Sequence, residues 1–74
     1  MSATEEVIDI MDTAVLEASR AGYVYALRGF CGSLTLADDL SKSVFTGRAD
    51  DGPWAIDWAA HERICGLMRS GTYR

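Results

Sequence analysis

The 74-residue chain is predicted to be all-α, a compact bundle of three to four helices forming one small domain over residues 1–74. Three observations point that way. Apolar residues recur mostly at helical rather than alternating spacing. Glycines stand where those runs stop. The one short alternating stretch has no evident second strand to pair with. Length reinforces the single domain, since domains usually run to about 100–150 residues. A chain this short buries only about 60% of the surface it exposes when unfolded, so its core is small.

The first helix is predicted over residues 3–21. Ser2-Ala3-Thr4-Glu5 reads as a capping box, the serine oxygen accepting from a first-turn amide while the glutamate reaches back. Val7, Ile8, Ile10, Met11, Ala14, Val15, Ala18 and Ala21 share one arc of a helical projection. Glu5, Glu6, Asp9, Asp12, Thr13, Glu17 and Arg20 take the opposite arc, and Gly22 is the stop. In residues 23–32, Tyr23, Tyr25 and Leu27 alternate, but the run is too short for its period to decide. A fourth helix over 23–31, ending at Gly29–Gly32, is the preferred reading over an unpaired strand.

Residues 35–46 form the next predicted helix. Thr35 with Asp38 resembles a cap, Leu36, Leu40 and Val44 recur at i+4, and Gly47 supplies a break. Asp50-Asp51-Gly52-Pro53 then reads as a turn that opens a helix over 53–70, with Pro53 at its first position and Asp51 or Gly52 as cap. Trp54, Trp58, His61, Cys65 and Met68 would line one face of it.

Composition excludes several classes of function. No run approaches the roughly 18 uncharged apolar residues of a membrane-spanning helix. The first 19 residues hold five acids and no Lys or Arg, unlike the basic start of a signal peptide. Cys31 and Cys65 are accordingly read as reduced thiols of a cytoplasmic protein. A net charge of −4 disfavours direct nucleic-acid binding, which relies on Lys and Arg neutralising phosphates.

Chemistry-bearing clusters are few. Asp57, His61 and Cys65 stand at i, i+4 and i+8, the residue types of a thiol nucleophile with an oriented base. One straight helix is an awkward frame for that, and no oxyanion donors are in view. More plainly, Cys65 is a small core hydrophobe, and His61 is half-buried and donates to Asp57. A metal held by these residues with Cys31 would lack the close ligand pairs that usually mark zinc sites. Gly29-Phe30-Cys31-Gly32 lacks the Lys-Ser/Thr of a phosphate loop. No catalytic residue, metal or cofactor is expected.

Charge layout says most about function. The acids crowd the first helix, where Glu5, Asp9, Asp12 and Glu17 are the predicted partner-binding carboxylates, with Asp38 and Asp39 as a second patch. A row of carboxylates on a rigid rod can stand in for nucleic-acid phosphates at a basic groove and steer association. Trp54, Trp58, Tyr23 and Tyr25 are candidate aromatic interface residues, since so short a chain has limited interior for its seven aromatics. The predicted function is therefore a non-catalytic acidic binding protein that docks on a basic, nucleic-acid-handling protein or nucleoprotein complex and inhibits it. Phage-encoded inhibitors, anti-CRISPR proteins among them, are alike in size and charge. The alternative is a homodimeric helical adaptor or regulator using its Trp face. A thiol or metal enzyme ranks third.

Overall fold

The computed structural model describes residues 3–47 and 53–71. Within them four helices pack against one another in the order α1 (Ala3–Leu16), α2 (Arg20–Cys31), α3 (Leu34–Val44) and α4 (Trp58–Ser70). The all-α class is as predicted. A minor two-stranded antiparallel sheet joins α3 to α4, with β1 (Phe45–Thr46) paired to β2 (Ala55–Ile56) in the register Phe45↔Ile56 and Thr46↔Ala55. The predicted capping residue Ser2 and the predicted turn residues Asp50, Asp51 and Gly52 lie outside the described residues.

The predicted helix over 3–21 is two helices. Ala18 adopts the left-handed conformation with φ of 54°. The Ser19 amide bonds back to the Ala14 carbonyl at 2.8 Å and the Ala18 amide to Val15 at 3.0 Å. These are the two bonds of a Schellman stop, here without the usual glycine. Ser19 then caps α2 by accepting from the Gly22 amide at 3.2 Å. Gly22 is thus not a stop but a first-turn residue. A methyl group there would lie 3.1 Å from the Ser19 hydroxyl oxygen, so the bare glycine makes room for that cap.

An alanine in the left-handed region is strained by about 1–2 kcal/mol. Ala18→Gly is expected to stabilise the chain by about 0.5–1 kcal/mol, the relief less the extra freedom of an unfolded glycine. Thermal unfolding should rise by about 2–8 °C. A lowered midpoint would show that the strain is absent.

α2 takes in the ambiguous stretch whole. Gly32 ends it at φ 72°, its amide bonded to the Arg28 carbonyl at 2.8 Å. Ser33, not Thr35, caps α3, accepting from the Leu36 amide at 3.2 Å. α3 stops at Val44, short of the predicted 46, because Phe45 and Thr46 turn into the sheet. The last helix starts at Trp58 rather than Pro53: residues 55–56 pair with β1, and the Asp57 amide bonds to the Val44 carbonyl at 2.9 Å. Asp57 is its cap, accepting from the Ala60 amide at 3.0 Å. Trp54 therefore lies outside the helix and shares no helical face with Trp58.

The core draws on the four helices and β1. Ile8, Met11 and Val15 of α1, Tyr23 and Leu27 of α2, Ala37 and Val44 of α3, and Ile64 and Met68 of α4 are all buried with Phe45. Tyr23 meets Phe45 edge-on with ring centroids 5.3 Å apart, and Trp54 packs against the other side of Phe45 at 6.0 Å. Pairing of β1 with β2 thus brings Phe45 together with Trp54, the residue before β2.

Candidate functional site

Two surfaces emerge from this packing, one a polar cluster between α1 and α4 and the other the outer face of α1. The cluster centres on His61, which Tyr23 and Cys65 hold from within while Asp12 reaches it from the surface. His61 is only 3% exposed, yet both ring nitrogens have partners. Nε2 lies 2.6 Å from Oδ1 of Asp12, and Nδ1 lies 2.9 Å from the Tyr23 hydroxyl. A carboxylate only accepts, so Nε2 donates to Asp12, while the Tyr23 hydroxyl, which can donate or accept, pairs with Nδ1.

Cys65 sits one turn along α4, its sulfur 3.7 Å from Nε2 and 3.8 Å from Nδ1 of His61. The sulfur is nearly equidistant from the two nitrogens. Asp12 and Tyr23 pair with those nitrogens at shorter range. Burial pushes its thiol up to about 11, with the nearby Asp12 carboxylate adding to the shift. An activated nucleophile needs the opposite, a thiolate favoured by an adjacent base or cation. The geometry is that of a packed, protonated thiol.

At pH 8 and without metal, Cys65 is therefore expected to resist iodoacetamide while the partly exposed Cys31 reacts. Peptide mass spectrometry of the alkylated chain distinguishes them. Equal labelling of both would mean that the α1–α4 packing opens freely.

Asp57 does not orient His61. Its carboxylate is committed to the start of α4, and the residue that fills the predicted role is Asp12, 49 positions away in sequence. An open cleft of about 590 Å³ adjoins the cluster, lined by Ile8, Asp12, Leu16, Trp58, His61 and Cys65 among others. Trp58 is 50% exposed and meets the His61 ring edge-on at 6.1 Å. Among the described residues, Asp12, His61 and Cys65 are the set whose donor atoms all lie within 4.8 Å of one another, close enough to share a cation.

The structure sorts the predicted acidic residues into two groups. Glu5 is engaged by Arg69 through its Nε at 2.9 Å, which ties the first turn of α1 to the last turn of α4. Asp12 is held by His61. Asp38 bonds Arg20 across the α2–α3 contact, and Lys42 lies near both Asp38 and Asp39. The second predicted patch is thus locally neutralised. On α1 and just after it, Glu6, Asp9 and Glu17 are exposed and have no ion-pair partner among the described residues. Glu6 was on the outer arc in sequence but not among the predicted binding residues.

Between these free carboxylates the surface is apolar. Ile10 is 54% exposed and lines one groove with Asp9, Thr13 and Glu17, and a second with Tyr25 and Arg28. Tyr25, 76% exposed, remains available as an aromatic contact, as does Trp58. Tyr23 does not: it is fully buried, because α2 turns that position inward against Phe45 and His61. Trp54 is half-buried against Phe45 and serves the core rather than an interface. No helix among the described residues is long and apolar enough to cross a membrane. Compared with protein-family models, curated proteins and solved structures, the chain matches none.

Proposed function

We propose that the chain is a non-catalytic acidic binding protein that docks through the outer face of α1 onto a basic, nucleic-acid-handling protein or complex and inhibits it, in the manner of a phage-type inhibitor. One observation carries this reading. Glu6, Asp9 and Glu17 are exposed, without an ion-pair partner among the described residues, around a solvent-facing Ile10, whereas Glu5, Asp12, Asp38 and Asp39 are all engaged by bases of the chain itself. Exposed carboxylates beside an apolar side chain suit an electrostatically steered interface. Carboxylates at these positions span roughly 15 Å of helix and following turn, room to meet several Lys or Arg side chains of a partner's nucleic-acid-binding groove.

The test is capture of partners on the tagged chain at low and at high salt, beside a variant with Glu6, Asp9 and Glu17 each changed to Lys. A nucleic-acid-binding protein held at low salt, released at high salt and never captured by the variant supports the proposal. The same protein captured equally by the variant overturns it. A homodimeric adaptor is favoured instead by the exposed Trp58 and Leu16, which line one cleft. Recovery of only the chain's own copies, lost on Trp58→Ala, would transfer the assignment to it.

A further inference from the structure

We propose that Asp12, His61 and Cys65 form a binding site for a zinc-type divalent transition-metal ion, with a fourth coordination position facing the α1–α4 cleft. The three side chains are the carboxylate, imidazole and thiolate donors that zinc takes in tetrahedral sites. They come from two helices and converge within 4.8 Å. Ligand atoms of a tetrahedral zinc lie about 3.3–3.7 Å apart, given bonds of about 2.0–2.3 Å. The Cys65 sulfur already stands 3.7 Å from Nε2 of His61. Oδ1 of Asp12 is at 2.6 Å from the same nitrogen and needs to open by about 0.7 Å to meet that spacing, a small rotation for a half-exposed side chain on α1.

The surroundings fit a ligating histidine in a second, independent way. A histidine that binds metal through one nitrogen nearly always has a polar partner on the other, which fixes the ring. Here that partner is the buried Tyr23 hydroxyl, 2.9 Å from Nδ1. A hydroxyl both donates and accepts. When the ion takes Nε2, Nδ1 carries the ring proton and donates it to the tyrosine oxygen, whose own hydroxyl proton turns away from the ring. The ion displaces the thiol proton of Cys65 to solvent, and its own charge then compensates the thiolate that burial disfavours. Two ligands, His61 and Cys65, sit one turn apart on α4, so their spacing is set by the helix before any ion arrives. The open cleft beside them gives the ion an entry path and leaves room for a water as fourth ligand. This site is separate from the acidic face of α1, and neither proposal depends on the other.

The experiment is titration of the reduced, chelator-treated chain with Co²⁺ as a spectroscopic stand-in, followed by displacement with Zn²⁺. One Co²⁺ per chain is expected, with the visible absorption of a tetrahedral ion and a near-ultraviolet thiolate-to-cobalt charge-transfer band, both removed by Zn²⁺. Cys65→Ser should abolish the charge-transfer band and Cys31→Ser should leave it intact. Asp12→Ala, whose fold is checked by circular dichroism because the change also removes a bond to the buried His61, should weaken binding by about tenfold or more. A wild-type titration without the charge-transfer band overturns the site. So does a band that survives Cys65→Ser, disappears with Cys31→Ser, or is bound undiminished in Asp12→Ala. Circular dichroism checks the Cys65 variant, and should it fail to fold, the Asp12 and Cys31 variants decide.

Discussion

Replacing Tyr23 with alanine is expected to cost about 3–5 kcal/mol, the range for deleting a large buried aromatic side chain. The whole chain has about 4–11 kcal/mol of stability by its length, so the variant should be largely or wholly unfolded near body temperature. Three contacts make the position critical. The ring is fully buried, its edge meets Phe45 at 5.3 Å and so anchors the strand segment, and its hydroxyl holds His61 of α4 at 2.9 Å. Removing it loosens α2 from α4 and from β1 together. Tyr23→Phe separates the parts: it keeps the packing and removes only the hydroxyl, leaving Nδ1 of His61 buried without that bond. That loss should be about 1–3 kcal/mol. Urea unfolding of the two variants measures both. A Tyr23→Ala chain as stable as the parent would mean that the tyrosine is not core, and would restore the interface role its sequence position suggested.

Charge reversal on α1 should have the largest effect on binding. Changing Glu6, Asp9 and Glu17 to Lys alters the charge by +2 at each position and takes the formal net charge from −4 to +2. Attraction to a basic partner becomes repulsion both at long range and in contact. Steering alone accounts for about 10–1,000-fold in association rate at low salt, so affinity should fall by about 100-fold or more. The effect should shrink as salt rises, because exposed charges are screened over about 8–10 Å at moderate ionic strength. Stability should barely change, since none of the three side chains has an ion-pair partner among the described residues to lose. The choice of residues matters. Reversing Glu5 or Asp12 would also break the contacts to Arg69 and His61 that join α1 to α4, and would confuse binding with folding. A binding isotherm with unchanged affinity at low salt would remove α1 from the interface.

Some of this was legible in the residues alone and some was not, for physical reasons. The inward set of α1, Ile8, Met11, Ala14 and Val15, follows directly from helical periodicity and is buried as expected. The break after Leu16 was hidden because it uses alanine where glycine is usual, so the apolar arc ran on through Ala18 and Ala21 without a signal. The sheet was hidden because two residues per strand show no period, and Pro53 beside Trp54 imitates a helix start. Once Ala55 and Ile56 pair with Thr46 and Phe45, the helix can begin only after Asp57, whose carboxylate then caps it.

The candidate site divides the same way. His61 and Cys65 were visible as a pair because one helix fixes their spacing. Their third member was misread as Asp57, since a sequence displays neighbours at i+4 but not across 49 residues. Charge shows a similar limit. Sequence alone determined that this chain is acidic and all-α with its carboxylates concentrated on the first helix, because periodicity and composition are local properties. Only the tertiary structure decided which carboxylates are spent on Arg69, His61, Arg20 and Lys42 and which stay free, and which aromatic rings are core. Ion pairs and burial depend on distances between helices, and packing alone sets those distances.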